Sequence, residues 1–193
     1  MEETLDVLGI AGSLRRASFN RYALRAAVEL APKGMTIDTF DLAGIPAFNQ
    51  DDEQKPPAVI RDLKARVRAA DAILFVTPEY NYSIPGVLKN AIDWASRPYG
   101  DSAWKGKPAA IMGASGGVIG TARAQYHLRQ CFVFLDMVAV NQPEVMIGNA
   151  AERFDASGTL THEPTRKIIG QLLESLATLT VTLRAGRAAL IPG

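Results

Sequence analysis

The sequence predicts an α/β fold: a doubly wound, five-stranded parallel sheet in the order 2-1-3-4-5 with helices on both faces, formed as one domain over residues 1–193. Three observations carry this. Five apolar runs of strand length alternate with longer segments of helical period. The runs follow one another at about 30 residues, the length of a βαβ unit. The first, third and fourth are almost continuously apolar, as strands covered on both faces are.

In chain order, the strands are expected at LDVLGIA (5–11), MTIDTF (35–40), AILFVT (72–77), AAIMGA (109–114) and MVAVN (137–141). The first crossover helix is expected over 19–31, where Ala and Leu recur on most turns and Pro32, Lys33 and Gly34 end the pattern. The second, over 57–70, places Val59, Leu63, Val67 and Ala70 at helical spacing with Arg and Lys between them. Pro85 suits the first turn of a third helix running to Ser96, and residues 120–135 and 164–186 supply the fourth and fifth. PAFNQDDEQKPP (46–57) is the one long polar connection and reads as a surface loop.

Composition narrows the function. Lys and Arg number 21 against 20 Asp and Glu, a net charge of +1 that offers no broad positive field to nucleic acid or anionic membrane. A small molecule or another protein is the expected partner. The start MEETLDV lacks a basic, then apolar, leader pattern, and Asp136 and Glu174 interrupt the later apolar stretches short of a membrane span. The expected location is the cytoplasm. Cys131, the single cysteine, leaves no internal disulfide, and its neighbours RQCFVFL place it within a helix. His127, beside Tyr126, has no second metal-type ligand at suitable spacing and reads as a surface or interface residue.

In a doubly wound sheet, ligands bind beyond the carboxyl ends of the strands, where the winding reverses. Three loops reach that edge. GSLRRASFN (12–20) offers the hydroxyls of Ser13 and Ser18, the guanidinium groups of Arg15 and Arg16, and the unpaired N–H groups of a helix start. It matches neither G-x-G-x-x-G nor G-x-x-x-x-G-K-[ST], so a single phosphate suits it better than a pyrophosphate. The plainer alternative is that Ser18 caps the helix and the arginines are solvated. TPEYNYSIPG (77–86) places Tyr80, Asn81 and Tyr82 between two prolines, a frame able to grip a flat polar heterocycle. GASGGVIG (113–120) lets the backbone at Ser115, Gly116 and Gly117 approach a ligand closely.

The third loop also raises a rival. Gly113-Ala114-Ser115-Gly116-Gly117 fits the G-x-S-x-G nucleophile elbow, and Ser115, Asp155 and His162 follow in the order of a hydrolase triad. Against this, no HGGG-like loop follows the third strand, His162 lies in the polar segment THEPTRK, and the other two loops are left without a purpose.

The pairing of GSLRRASFN with PEYNYSIPGVLKNAIDWASRP resembles the NADPH-dependent FMN reductase family, in particular bacterial members that reduce quinones, chromate and azo compounds. The resemblance implies a flavodoxin-like fold holding FMN. It implies Ser13, Arg15, Ser18 and Asn20 around the ribityl phosphate, Pro78, Glu79, Tyr80 and Asn81 on the isoalloxazine, and Ser115, Gly116 and Gly117 along its other side. It further implies ping-pong turnover: NADPH or NADH delivers hydride to the flavin, and the acceptor then takes the same face. No catalytic side chain is expected. Arg16, if Arg15 serves FMN, is free to meet the extra phosphate of NADPH. A flavodoxin-like electron carrier is the second reading, disfavoured because such carriers use strongly acidic surfaces.

A homodimer or homotetramer is expected from the family, from Tyr82 and Ile84 in the loop after Asn81, and from apolar residues on the third and fourth helices, among them Val87, Leu88, Ile92, Trp94, Leu128, Phe132 and Phe134. Arg123, Tyr126 and Glu144 are expected to pair across a second contact. The cradle reading predicts that Arg15→Ala weakens FMN retention by about 1.5 to 3 kcal/mol through lost charge-assisted bonds. Flavin content after dialysis measures this, and equal content in mutant and parent would contradict it.

Overall fold

The structure, a computed structural model, describes residues 4–190. Its strands are β1 (Leu5–Ala11), β2 (Met35–Phe40), β3 (Ala72–Val76), β4 (Pro108–Ala114), β5 (Val138–Ala139) and β6 (Val145–Ile147). Its helices are α1 (Phe19–Glu29), α2 (Ala58–Ala69), α3 (Gly86–Ala95), α4 (Ala122–Leu135) and α5 (Glu163–Leu190). The sheet runs β2-β1-β3-β4-β5, with β6 also paired to β4, and every pairing is parallel. The doubly wound order expected from the sequence is the order found.

Alternate residues of the central strands feed two cores, as the two-residue period of a strand requires. Val7, Leu74, Val76, Ala110 and Met112 pack against α1 and α5 on one face. Leu8, Ile10, Ile73, Phe75 and Ile111 pack against α2, α3 and α4 on the other. Phe75 meets Trp104 and Phe132 at centroid distances of 5.7 and 5.4 Å, and the Trp104 indole N–H donates to the Ile92 carbonyl at 3.0 Å. Cys131 lies on the same side, half-buried, and burial pushes its thiol pKa up, away from the reactive thiolate.

The polar connection 46–57 is docked rather than free. The Pro46 carbonyl accepts from the Trp94 indole and from Asn90, and Phe48 meets Trp94 edge-on at 5.0 Å. Pro85 occupies the cap position of α3, one residue before the helix.

The fifth strand departs from expectation. Instead of a continuous run over 137–141, only β5 at Val138–Ala139 forms there, and β6, beyond that run, was not foreseen. β5 pairs with the start of β4 at Pro108 and Ala109, whereas β6 pairs with its end at Met112, Gly113 and Ala114. Between them Pro143 has no N–H for a ladder, and the chain leaves the sheet. Arg129 of α4 satisfies the departing segment by donating to the Val140 carbonyl at 2.8 Å and to Asn141 Oδ1 at 3.2 Å.

Gly113 marks the tightest packing near this strand. A methyl added there would lie 2.1 Å from Thr121 Oγ1 and 2.2 Å from the Thr77 carbonyl oxygen. Gly113→Ala is therefore expected to destabilise the fold by on the order of 3 kcal/mol through overpacking. Urea unfolding measures the loss; an unchanged midpoint would show that the β4–α4 junction yields without cost.

Candidate functional site

Strand order brings the three loops to one edge. β3 lies between β1 and β4, so the loops that follow these three strands stand side by side at their carboxyl ends. Backbone bonds continue the ladder outward: Gly12 N–H donates to the Val76 carbonyl at 2.9 Å, and Thr77 N–H to that of Met112 at 2.9 Å.

In the first loop Ser13 is buried and its hydroxyl accepts from Arg15 N–H at 3.4 Å. Arg15 and Arg16 are exposed, the Arg15 guanidinium standing 5.9 Å from the Phe19 ring centroid. Ser18 caps α1, its hydroxyl oxygen accepting from Asn20 N–H at 3.2 Å, which still leaves the hydroxyl proton to donate. The Asn20 side chain is placed differently from expectation. Its amide is 3% exposed; it donates to the Ala114 carbonyl at 2.8 Å and accepts from the Ala114 N–H at 2.8 Å. Asn20 thus binds the end of β4 as a neighbouring strand would, and its amide is committed to holding the first loop in place.

The second loop closes as a two-residue hairpin. Tyr80 and Ser83 exchange both backbone bonds at 3.0 Å, and Asn81 and Tyr82 between them have φ of 51° and 67°. This is the turn that matches strand twist, and it asks a strained left-handed conformation of two residues that are not glycine. Tyr80, Asn81 and Tyr82 are exposed. Glu79 faces the other way: its carboxylate, 6% exposed, accepts from Arg123 N–H at 3.0 Å and Ala124 N–H at 3.2 Å and pairs with the Arg123 guanidinium. Glu79 is therefore the cap of α4, whose own cap residue Thr121 makes no capping side-chain bond, its hydroxyl accepting instead from Gln125 Nε2 at 3.1 Å. Its side chain is committed away from the isoalloxazine role expected of it, which leaves its backbone alone facing the edge.

Two further contacts fix the hairpin to the first turns of α4. The Arg123 guanidinium stacks 3.7 Å from the Tyr82 ring centroid, and His127 Nδ1 lies 3.0 Å from Ser83 Oγ. The expected trio of Arg123, Tyr126 and Glu144 is thus divided within one chain. Arg123 serves Glu79 and Tyr82, while a hydrogen bond to Glu144 pushes the Tyr126 phenol pKa up.

The third loop hangs from β6. Ser115 N–H donates to the Ile147 carbonyl and the Ser115 carbonyl accepts from Ala150 N–H, both at 3.0 Å. Ser115 Oγ accepts from Gly117 N–H at 3.1 Å, and open space lies where a side chain on Gly116 would stand. The triad does not assemble. Hydrogen bonds from Ser157 and Thr159 occupy Asp155 and hold its pKa below the usual carboxylate range. His162 Nδ1 lies 2.8 Å from Thr165 Oγ1 at the start of α5. The hydrolase reading falls on these partners.

The edge presents a buried hydroxyl and exposed guanidinium groups at a helix start, an outward aromatic hairpin, and a glycine loop open on one side. Residues 5–152 match the family described as NADPH-dependent FMN reductase. The chain belongs to that family. It is 54% identical over 186 residues to an NAD(P)H-dependent FMN reductase of Pseudomonas aeruginosa, covering 95% of this chain and 100% of the relative. It is 48% identical over 173 residues to a 2-hydroxy-1,4-benzoquinone reductase of a Burkholderia species, covering 90% and 94%. Among solved structures, the flavoenzyme NAD(P)H:(acceptor) oxidoreductase FerB of Paracoccus denitrificans superposes with a TM-score of 0.86 at 37% identity, covering 93% and 98%.

Glu79→Gln is expected to lower stability by about 1 to 3 kcal/mol, because the cap loses its charge and the Arg123 guanidinium its partner. Urea unfolding of the flavin-free protein measures this apart from cofactor binding. An unchanged midpoint would mean that α4 does not depend on the hairpin for its cap.

Proposed function

We propose that the protein is an FMN-dependent NAD(P)H:quinone oxidoreductase in which donor and acceptor use one exposed ring face in turn. Bound FMN supplies the reversible two-electron chemistry. Ser13, Arg15 and the N–H groups opening α1 would hold its phosphate, with the Ser18 hydroxyl proton as a further donor. The backbone from Pro78 to Asn81 would meet the polar edge of the ring, and Ser115 to Gly117 would line the side opposite. No side chain need transfer a proton, since quinol oxygens take theirs from water.

The observation that carries this reading is the hairpin at Tyr80–Ser83. Its two exposed tyrosines, 53% and 67% accessible, border an open approach, while its backbone is held by Glu79 and α4. A flat acceptor can enter and leave such a face. Chromate and azo compounds are inferred only as secondary acceptors, and a cytoplasmic site fits the single half-buried cysteine.

Assembly into a dimer or tetramer is part of the proposal. Leu88, Ile92, Trp94, Leu128 and Phe132 are core, but Val133 and Phe134 of α4 are 84% and 75% exposed beside Tyr126 at 50%. That outward row suits a contact between copies. Light scattering at micromolar concentration should exceed the 20.8 kDa of one chain; a mass equal to it would remove the contact.

For the activity, the purified protein should be yellow, bleach with NADPH or NADH without oxygen, and regain colour on adding 1,4-benzoquinone. Ser115→Ala should keep most of this turnover. A colourless protein that takes up no FMN, or an esterase activity abolished by Ser115→Ala, would overturn the proposal.

A further inference from the structure

A second concavity lies along the same edge, on the far side of the phosphate loop from the hairpin. It has a volume of about 280 Å³ and is bounded by Ser13, by Arg21 and Arg25 of α1, and by Thr39, Phe40 and Asp41 at the end of β2. Ser13 belongs to both places. The loop proposed to hold the FMN phosphate thus supplies part of the cleft's wall.

Its chemistry is that of a ribose phosphate site. Arg21 is paired with Asp41 at 2.6 Å, and Asp41 also accepts from Ala43 N–H at 3.0 Å. Arg25 is exposed, donates to the Ser157 carbonyl at 3.1 Å and lies 5.2 Å from the Tyr22 ring centroid. Both of these partners are neutral, and among the described residues no carboxylate forms an ion pair with Arg25. Leu24 and Phe40, each 6% exposed, make an apolar floor, and the Thr39 hydroxyl stands at the rim.

The geometry points to this cleft as the seat of the adenosine end of the dinucleotide donor, with Arg25 and Arg21 receiving the ribose 2′-phosphate and Phe40 beneath the base. The inference rests on the NAD(P)H-dependent reading above and adds to it the place and the selectivity. The ring face lies over β3 and β4, the phosphate loop over β1, and the cleft between β1 and β2. From ring to cleft is about two strand spacings, roughly 10 Å. A dinucleotide with its nicotinamide on the ring spans that distance across its pyrophosphate. In doubly wound dinucleotide sites, either an acidic residue beyond the second strand meets the ribose 2′-hydroxyl, as for NAD, or a nearby Arg accommodates the 2′-phosphate, as for NADP. Here Asp41 already holds Arg21 and the Ala43 N–H, and Arg25 is the cation left for the second part. The cation that discriminates NADPH from NADH is then Arg25 rather than Arg16, which is exposed on the loop and does not bound the cleft.

The test uses the FMN-loaded enzyme with 1,4-benzoquinone saturating. Adenosine 2′,5′-bisphosphate should compete with NADPH, and adenosine 5′-monophosphate should compete more weakly. Arg25→Gln should raise KM for NADPH and Ki for the bisphosphate roughly ten-fold or more, as loss of a charge-assisted bond requires. KM for NADH and kcat should move less than about two-fold, and Arg16→Gln should leave the NADPH to NADH ratio as in the parent. Equal losses on both nucleotides, no change in Arg25→Gln, or a shift produced by Arg16→Gln instead would overturn the assignment. A parent enzyme that binds FMN yet turns over neither nucleotide would remove the reading beneath it, a failure visible before any variant is made.

Discussion

The amide of Asn20 is the fixed point of the site. β1 and β4 are not neighbours, because β3 lies between them, so no ladder bond joins the loops that follow them. Asn20 supplies the missing bond by matching both the N–H and the carbonyl of Ala114 at 2.8 Å. Both groups are buried, and each would cost about 1 to 3 kcal/mol if left unpaired. Ser18, by capping α1 through Asn20 N–H, sets the turn that delivers the amide there. The loops after β1 and β4 are thereby held in one register across the width of β3, as the proposed flavin site requires.

The hairpin is secured by a different balance. Left-handed backbone at Asn81 and Tyr82 costs on the order of 1 to 3 kcal/mol for each residue. Against it stand two charge-assisted bonds from Glu79 to the start of α4, an ion pair, and the stacking of Arg123 on Tyr82. Charge-assisted bonds contribute about 1.5 to 3 kcal/mol each, enough to offset the strain. The side chain that looks polar and available is spent on holding shape, and the backbone is what the loop presents. Such an arrangement fixes the hairpin while leaving its tyrosines exposed, which the proposed exchange of donor and acceptor on one face needs.

The sheet order was legible because nearly unbroken apolar runs at βαβ spacing admit few other topologies, and Val7, Leu74 and Met112 behave as that pattern demands. The last strand was not, since the expected run 137–141 stops short of Pro143, and the strand beyond that proline, β6, carries the glycine loop. The three loops could be located from their position after strands, but not the direction of their side chains. Glu79 and Asn20 look like ligand groups in one dimension; their partners, Arg123 and Ala114, lie 44 and 94 residues away. Pairings at that separation leave no periodic trace. Ser115, Asp155 and His162 show the opposite case: the order of a triad was present, the sequence already argued against it, and their partners lie elsewhere.

The central claim is that a phosphate cradle and a ring-holding hairpin, locked together across β3, form one flavin site. Equilibrium binding of FMN and of riboflavin to the flavin-free protein separates the two parts, because the ligands differ only in the phosphate. The account predicts that both bind and that FMN binds tighter by about a hundred-fold or more, the worth of two charge-assisted bonds. Equal affinity for the two would contradict it, since the loop from Gly12 to Ser18 would then hold no phosphate.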